Sequence, residues 1–198
     1  MASTLDFYFD FSSPYGYMAA TQVETLAGET GLALRWHPIL LGPMFQAMGS
    51  APLTQVPLKG DYAVRDFKRS AQLAGIPYSH PDPFPIGTVA AARAALYALD
   101  RHPDAAAGLI HALYRGYFAE GRQIDDAAVV LDIAAGLGLD RGEVEAGIAS
   151  EPVKAALKKE VEDAMSRGVF GSPFILIGDE PFWGFDRYDH IRKWVASR

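Results

Sequence analysis

The sequence predicts an α/β fold in which a strand, helix, strand unit at the start and a strand, strand, helix unit at the end share one sheet. An all-helical insertion separates them. Three observations predict this. Residues 5–14 alternate aromatics and then break at Ser-Pro, helical apolar stripes recur from about 89 to 165, and a nearly continuous apolar run returns at 172–177.

Leu5, Phe7, Phe9 and Phe11 fall on one period-2 face, which makes the first segment a strand. Ser12-Ser13-Pro14 ends it and opens a helix, because serine caps free N–H groups and proline fits the first helical position. That helix is expected from about Pro14 to Ala27, closed by Gly28 or Gly31. Leu32, Leu34 and Trp36 alternate again in a second strand ending near Pro38. Residues 5–38 thus have the minimum size of a parallel crossover.

Leu41 to Lys59 reads as loop, with Pro43, Pro52 and Pro57 as breakers, and a helix is expected over Asp61–Leu73. Pro77, Pro81, Pro83 and Pro85, set among Tyr78, His80 and Phe84, forbid regular structure between Ile76 and Gly87. Helical spacing then runs through Val89, Ala92, Leu96 and Leu99, through Leu109, Leu113 and Tyr117, and through Val130, Ile133 and Leu137. Glu151-Pro152 opens a further helix with the stripe Val153, Leu157, Val161 and Met165, ending at Arg167-Gly168.

Ser172-Pro173-Phe174-Ile175-Leu176-Ile177 reads as a strand buried on both faces. After a turn at Gly178-Asp179-Glu180-Pro181, Phe182-Trp183-Gly184 forms a short antiparallel partner. Asp186 is expected to cap a last helix carrying Tyr188, Ile191 and Val195. The predicted division is a sheet domain from residues 1–40 and 169–198, and an insertion domain from 41–168.

Composition narrows function. Of 198 residues, 24 are acidic and 18 basic, a net charge of -6, and no basic run offers the stripe that a phosphate backbone needs. Nucleic acid is not an expected partner. With no cysteine, disulfides, thiolate metal sites and protein thiol redox chemistry are excluded. His37, His80, His102, His111 and His190 lack metal-ligand spacing, so no metal is expected. No apolar run reaches the roughly 18 residues of a membrane span, and the start lacks the pattern of a signal peptide, so a cytoplasmic protein is expected.

Three corners carry candidate chemistry. At Ser13-Pro14, the free N–H groups of a helix start favour an anion. At Ser172-Pro173, a cis bond would turn backbone groups outward to pair with an extended ligand. At Phe185-Asp186, a helix start and a carboxylate suit a ligand that carries both charges. Taken alone, each corner reads more simply as an ordinary cap or strand-leading proline.

Taken together and in order, the corners resemble the DsbA-like branch of the thioredoxin fold. Ser13-Pro14-Tyr15-Gly16 stands where a disulfide oxidoreductase of that branch has Cys-Pro-His-Cys, so disulfide exchange is impossible here. The chain is more narrowly similar to the 2-hydroxychromene-2-carboxylate isomerases and to their relatives, the kappa-class glutathione transferases. The matching stretches are Asp6-Phe7-Tyr8-Phe9-Asp10-Phe11 with Ser13-Pro14-Tyr15, Lys59-Gly60-Asp61-Tyr62, Val169-Phe170-Gly171-Ser172-Pro173, and Phe182-Trp183-Gly184-Phe185-Asp186-Arg187.

That resemblance implies a glutathione-dependent isomerase of aromatic catabolism, acting as a homodimer on a small aromatic carboxylate. It places the glutathione sulfur at Ser13 beside Pro14, the peptide backbone at Ser172 and Pro173, and the γ-glutamyl end at Phe185 and Asp186. Lys59 is the expected cation for a carboxylate, and Phe45, Tyr78 and Phe84 an apolar wall. A kappa-like transferase and a redox-inactive binding module are the alternatives. Some relatives carry an asparagine in the loop before the Lys-x-x-Tyr element, whereas this chain has no asparagine anywhere.

Overall fold

A computed structural model describes residues 4–198. Strand β1 (Thr4–Phe9) leads through a tight turn into α1 (Pro14–Thr30), and β2 (Ala33–Pro38) returns parallel to β1. Gly31 ends α1 with φ 67°, the left-handed conformation that glycine adopts without a Cβ clash. The chain closes with β3 (Phe174–Ile177), β4 (Glu180–Trp183), a 3₁₀ turn at Phe185–Arg187 and a terminal helix at Tyr188–Ala196. Strand order is β2-β1-β3-β4, with β3 antiparallel to both neighbours. The two ends of the sequence build one sheet, as the strand-rich termini predict.

Side-chain alternation sorts the core into layers. Leu5, Phe7 and Phe9 of β1 and Ile175 and Ile177 of β3 pack with Val23 and Leu26 of α1 and with Leu109 and Leu113. On the opposite face Tyr8, Phe174 and Leu176 pack with Leu157, Val161 and Ala164. Asp6 shares that second face, where Arg167 pairs with it at 2.8 Å and His37 lies between it and Glu160.

Between the sheet halves run α2 (Leu41–Met48), α3 (Lys59–Leu73), α4 (Val89–Arg101), α5 (Pro103–Phe118), α6 (Ala127–Gly136), α7 (Arg141–Ala149) and α8 (Glu151–Ser166); the terminal helix is α9. Residues 76–87 form neither helix nor strand. Helix α2 corrects the expected loop. Pro43 sits in its first turn, where a missing N–H breaks no helical bond. Helix α7, not singled out from the sequence, contains Gly142 and Gly147. Any Cβ at Gly147 would lie 2.4 Å from the Tyr97 ring, so the second glycine is a packing contact and no breaker.

Candidate active site

The first corner is built by the turn that ends β1. The Ser13 N–H donates to the Asp10 carbonyl at 3.0 Å, and the extended backbone of Ser13 (φ -97°, ψ 114°) presents its hydroxyl to the start of α1. Ser13 Oγ accepts the Gly16 N–H at 3.0 Å, as a capping serine should. Pro14 has no N–H, and the Tyr17 N–H goes to the Ser13 carbonyl at 2.9 Å. Within this first turn the Tyr15 N–H is the donor left to face a ligand.

The second corner faces it. Ser172-Pro173 is a cis bond leading into β3. Ser13 Oγ donates to the Ser172 carbonyl at 2.8 Å, and the Asp10 N–H donates to Ser172 Oγ at 3.0 Å. Two bonds, both donated from the end of β1 and both accepted by Ser172, therefore tie together segments far apart in sequence, and both serines are buried, 6% and 8% exposed. Gly16 makes this approach possible. A Cβ there would lie 2.7 Å from both Ser172 Oγ and the Tyr114 hydroxyl, closer than atoms tolerate.

The third corner hangs from the second, because the Gly184 N–H donates to the Pro173 carbonyl at 3.2 Å. Asp186 is not the expected cap. It lies inside the 3₁₀ turn, after Gly184 has made the bend at φ 115°, and no side chain caps either this turn or α9. Its carboxylate pairs instead with Arg187 at 3.1 Å.

The three corners line one cavity of about 800 Å³. Ser13, Pro14, Ser172, Pro173, Phe185 and Asp186 all belong to its wall, together with Phe45 of α2, Phe67 of α3 and Phe84 of the proline-rich loop. Lys59 does not. It is exposed at the first position of α3, and Arg187 is the basic side chain on the cavity wall among the described residues. Tyr78 also lies off the wall, its hydroxyl 2.8 Å from His80 Nδ1. Ser12 lines the cavity too, and its hydroxyl accepts the Ile86 N–H at 3.3 Å.

Two carboxylates in the wall were not singled out from the sequence. Asp66 of α3 accepts hydrogen bonds from the Tyr15 hydroxyl and Arg69. Burial pushes its carboxyl up, but those two donors together more than offset this and hold it below the usual carboxylate range. Burial pushes the Tyr15 hydroxyl up as well, reinforced by Asp66, so it stays protonated. Asp10, 4% exposed, accepts the Ser12 N–H (2.8 Å), the Leu41 N–H (2.7 Å) and the Thr88 hydroxyl (2.8 Å). Burial raises its pKa, against the pull of those donors. Asp10 was legible only as part of a strand, and nothing in the spacing of Asp66 marks it.

Among the described residues no group of three or more His, Asp or Glu side chains could hold a metal ion, and no helix is long and apolar enough to cross a membrane.

Comparison with known proteins agrees with this fold. The DSBA-like thioredoxin domain family matches residues 4–196. The chain is 31% identical over 199 residues to a 2-hydroxychromene-2-carboxylate isomerase of Sphingobium xenophagum, covering 100% of both chains. It is 33% identical over 81 residues to glutathione S-transferase kappa 1 of Caenorhabditis elegans, covering 40% of this chain and 36% of that one. The solved structure of a 2-hydroxychromene-2-carboxylate isomerase superposes with a TM-score of 0.87 at 29% identity, covering 98% of this chain and 95% of that one. The chain belongs to the DSBA-like thioredoxin domain family and, within it, to the family of the 2-hydroxychromene-2-carboxylate isomerases.

Proposed function

We propose that the protein is a glutathione-dependent isomerase interconverting 2-hydroxychromene-2-carboxylate and trans-o-hydroxybenzylidenepyruvate. The observation that carries this reading is the Ser13 hydroxyl, set at the start of α1 and 2.8 Å from the Ser172 carbonyl, in the wall of an aromatic-lined cavity. The residues present fit glutathione. The Ser13 hydroxyl and the Tyr15 N–H suit a thiolate, the backbone of Ser172 and Pro173 an extended peptide, and Asp186 with Arg187 a zwitterionic end.

When bound beside Ser13 and the Tyr15 N–H, glutathione would supply a thiolate nucleophile for reversible addition to the conjugated, ring-opened acid, regenerated in each turnover. The chain's own part is to hold that sulfur ionised. A thiol with pKa about 8.5 is only a few per cent ionised near neutral pH. A hydroxyl donor and a helix N-terminus favour the anion. Ser13 acts as this donor and is no nucleophile, since its hydroxyl bonds to a carbonyl and an amide, with no base beside it. Phe45, Phe67 and Phe84 supply flat apolar walls for an aromatic ring.

Retention on glutathione-agarose and absorbance change with the hydroxychromene test the reading together. Retention without turnover, and with transfer to a chloronitrobenzene, would favour a kappa-like transferase, the reading suggested by the glutathione transferase similarity over 81 residues. Passage through the column would leave a binding module. A cytoplasmic homodimer completes the proposal, and light scattering at the single-chain mass would refute the dimer.

A further inference from the structure

We propose that Asp10 is a positioning residue: its carboxylate holds the acceptor side of the cavity in register with the Ser13 corner. The inference rests on the function proposed above and assigns a task to a buried acid which that mechanism leaves unused.

Asp10 divides its contacts by atom. Its main chain serves the thiol corner, with the N–H on Ser172 Oγ at 3.0 Å and the carbonyl accepting the Tyr114 hydroxyl at 2.9 Å and the Ser13 N–H at 3.0 Å. Its side chain reaches mainly elsewhere, with one bond back to this corner at the Ser12 N–H. Oδ2 takes the Leu41 N–H, the residue that begins α2, and Oδ1 takes the Thr88 hydroxyl just before α4 and the Ser12 N–H. Helix α2 carries Leu41, Phe45 and Met48 into the cavity wall, and the segment before Thr88 carries Phe84 and Ile86. The apolar wall is thus pinned to the end of β1 through one carboxylate.

All three side-chain partners are donors and none is a cation, so the site calls for an acceptor on both oxygens. Asparagine does not satisfy it. In either orientation its NH₂ faces an N–H, that of Ser12 or that of Leu41. Because such a change leaves the main-chain bonds in place, it should disturb the wall and spare the thiol corner.

The test uses the full chain with glutathione and 2-hydroxychromene-2-carboxylate. Asp10→Asn should raise the KM for the hydroxychromene about tenfold or more, the loss expected for charge-assisted bonds, while glutathione affinity stays within about twofold. Amide hydrogen exchange should quicken in residues 41–48 and not in α1. Should Asp10→Asn fail to fold, Thr88→Val should raise the hydroxychromene KM less and quicken exchange around residues 86–88 rather than in α2, and Thr88→Ser restores the wild-type KM. Glutathione affinity falling in step with the acceptor KM, or unchanged exchange in α2 of Asp10→Asn and around 86–88 of Thr88→Val, overturns the proposal. If the wild-type chain neither binds glutathione nor turns over, the functional reading fails separately, and the exchange measurement alone decides the role of Asp10.

Discussion

The Ser13 hydroxyl and the Ser172 carbonyl, 159 positions apart, share a hydrogen bond of 2.8 Å. The same oxygen of Ser13 accepts the Gly16 N–H. One side chain therefore caps a helix, joins the two halves of the sheet domain, and faces the cavity. Its single proton is committed to Ser172, so serving a thiolate means turning that proton away from the carbonyl. That turn takes the donor from a buried carbonyl, a cost of about 1–3 kcal/mol that a charge-assisted bond to a thiolate would offset.

Ser13→Ala should separate these roles. Stability should fall by about 1–2 kcal/mol through the lost cap and the lost bond to Ser172, read by denaturant unfolding. The bound thiol should ionise about one pH unit higher, read by ultraviolet thiolate absorbance, with turnover near neutral pH falling about tenfold. Glutathione binding should remain largely intact. If Ser13→Ala leaves both titration and rate unchanged while Ser12→Ala abolishes activity, Ser12 holds the role.

Gly16→Ala should be the most damaging single methyl addition at the site. The new carbon would meet two hydroxyl oxygens at 2.7 Å, neither on a flexible arm, since Tyr114 and Ser172 are both buried. A loss of about 1–3 kcal/mol is expected in equilibrium unfolding, with turnover reduced as Ser172 is displaced.

Acid stability should depend on Asp66. Its carboxyl is held below the usual range in the folded chain, mainly by Tyr15 and Arg69 against burial. The stabilisation is present above the unfolded value, about 3.9, and is lost as pH falls through the folded one. Asp66→Asn should therefore lower stability near neutral pH and flatten its decline below about pH 4. An unchanged acid limb in a stability-pH series would count against this.

Alkali should act through the buried tyrosines. Burial raises the Tyr8 hydroxyl to about 12, and raises Tyr15, Tyr17, Tyr78, Tyr114, Tyr117 and Tyr188 as well. The unfolded chain releases these protons near pH 10 and the folded chain later, so stability falls as pH climbs from about 10 towards 12. Tyrosinate absorbance should rise together with loss of circular dichroism. A titration completed while the fold persists would contradict this.

The sheet was legible because its signals are local. Aromatic alternation marks β1, Ser13-Pro14 marks the start of α1, and the unbroken apolar run marks β3. Local signals failed where position inside an element changed a residue's meaning. Pro43 reads as a breaker until it is known to occupy a first turn, and Asp186 reads as a cap until Gly184 is seen to make the bend before it. Six of the seven expected site residues share one cavity wall, whereas Lys59 depended on where α3 would point its first turn. Asp66 and Asp10 acquire their partners only through tertiary packing, and periodicity carries no trace of that.

Trp183 stands 56% exposed at the cavity rim, its ring 5.0 Å from that of Phe170 in an edge-on arrangement. The other two tryptophans are placed elsewhere, Trp36 against Phe7 and Phe9 and Trp194 against Phe182 and Arg198. Of the three indoles, this one alone belongs to the cavity wall. The molecule therefore carries its own optical reporter. Occupancy of the cavity can be followed as a change in intrinsic fluorescence without any label, and a Trp183→Phe variant, silent at the rim, isolates the signal.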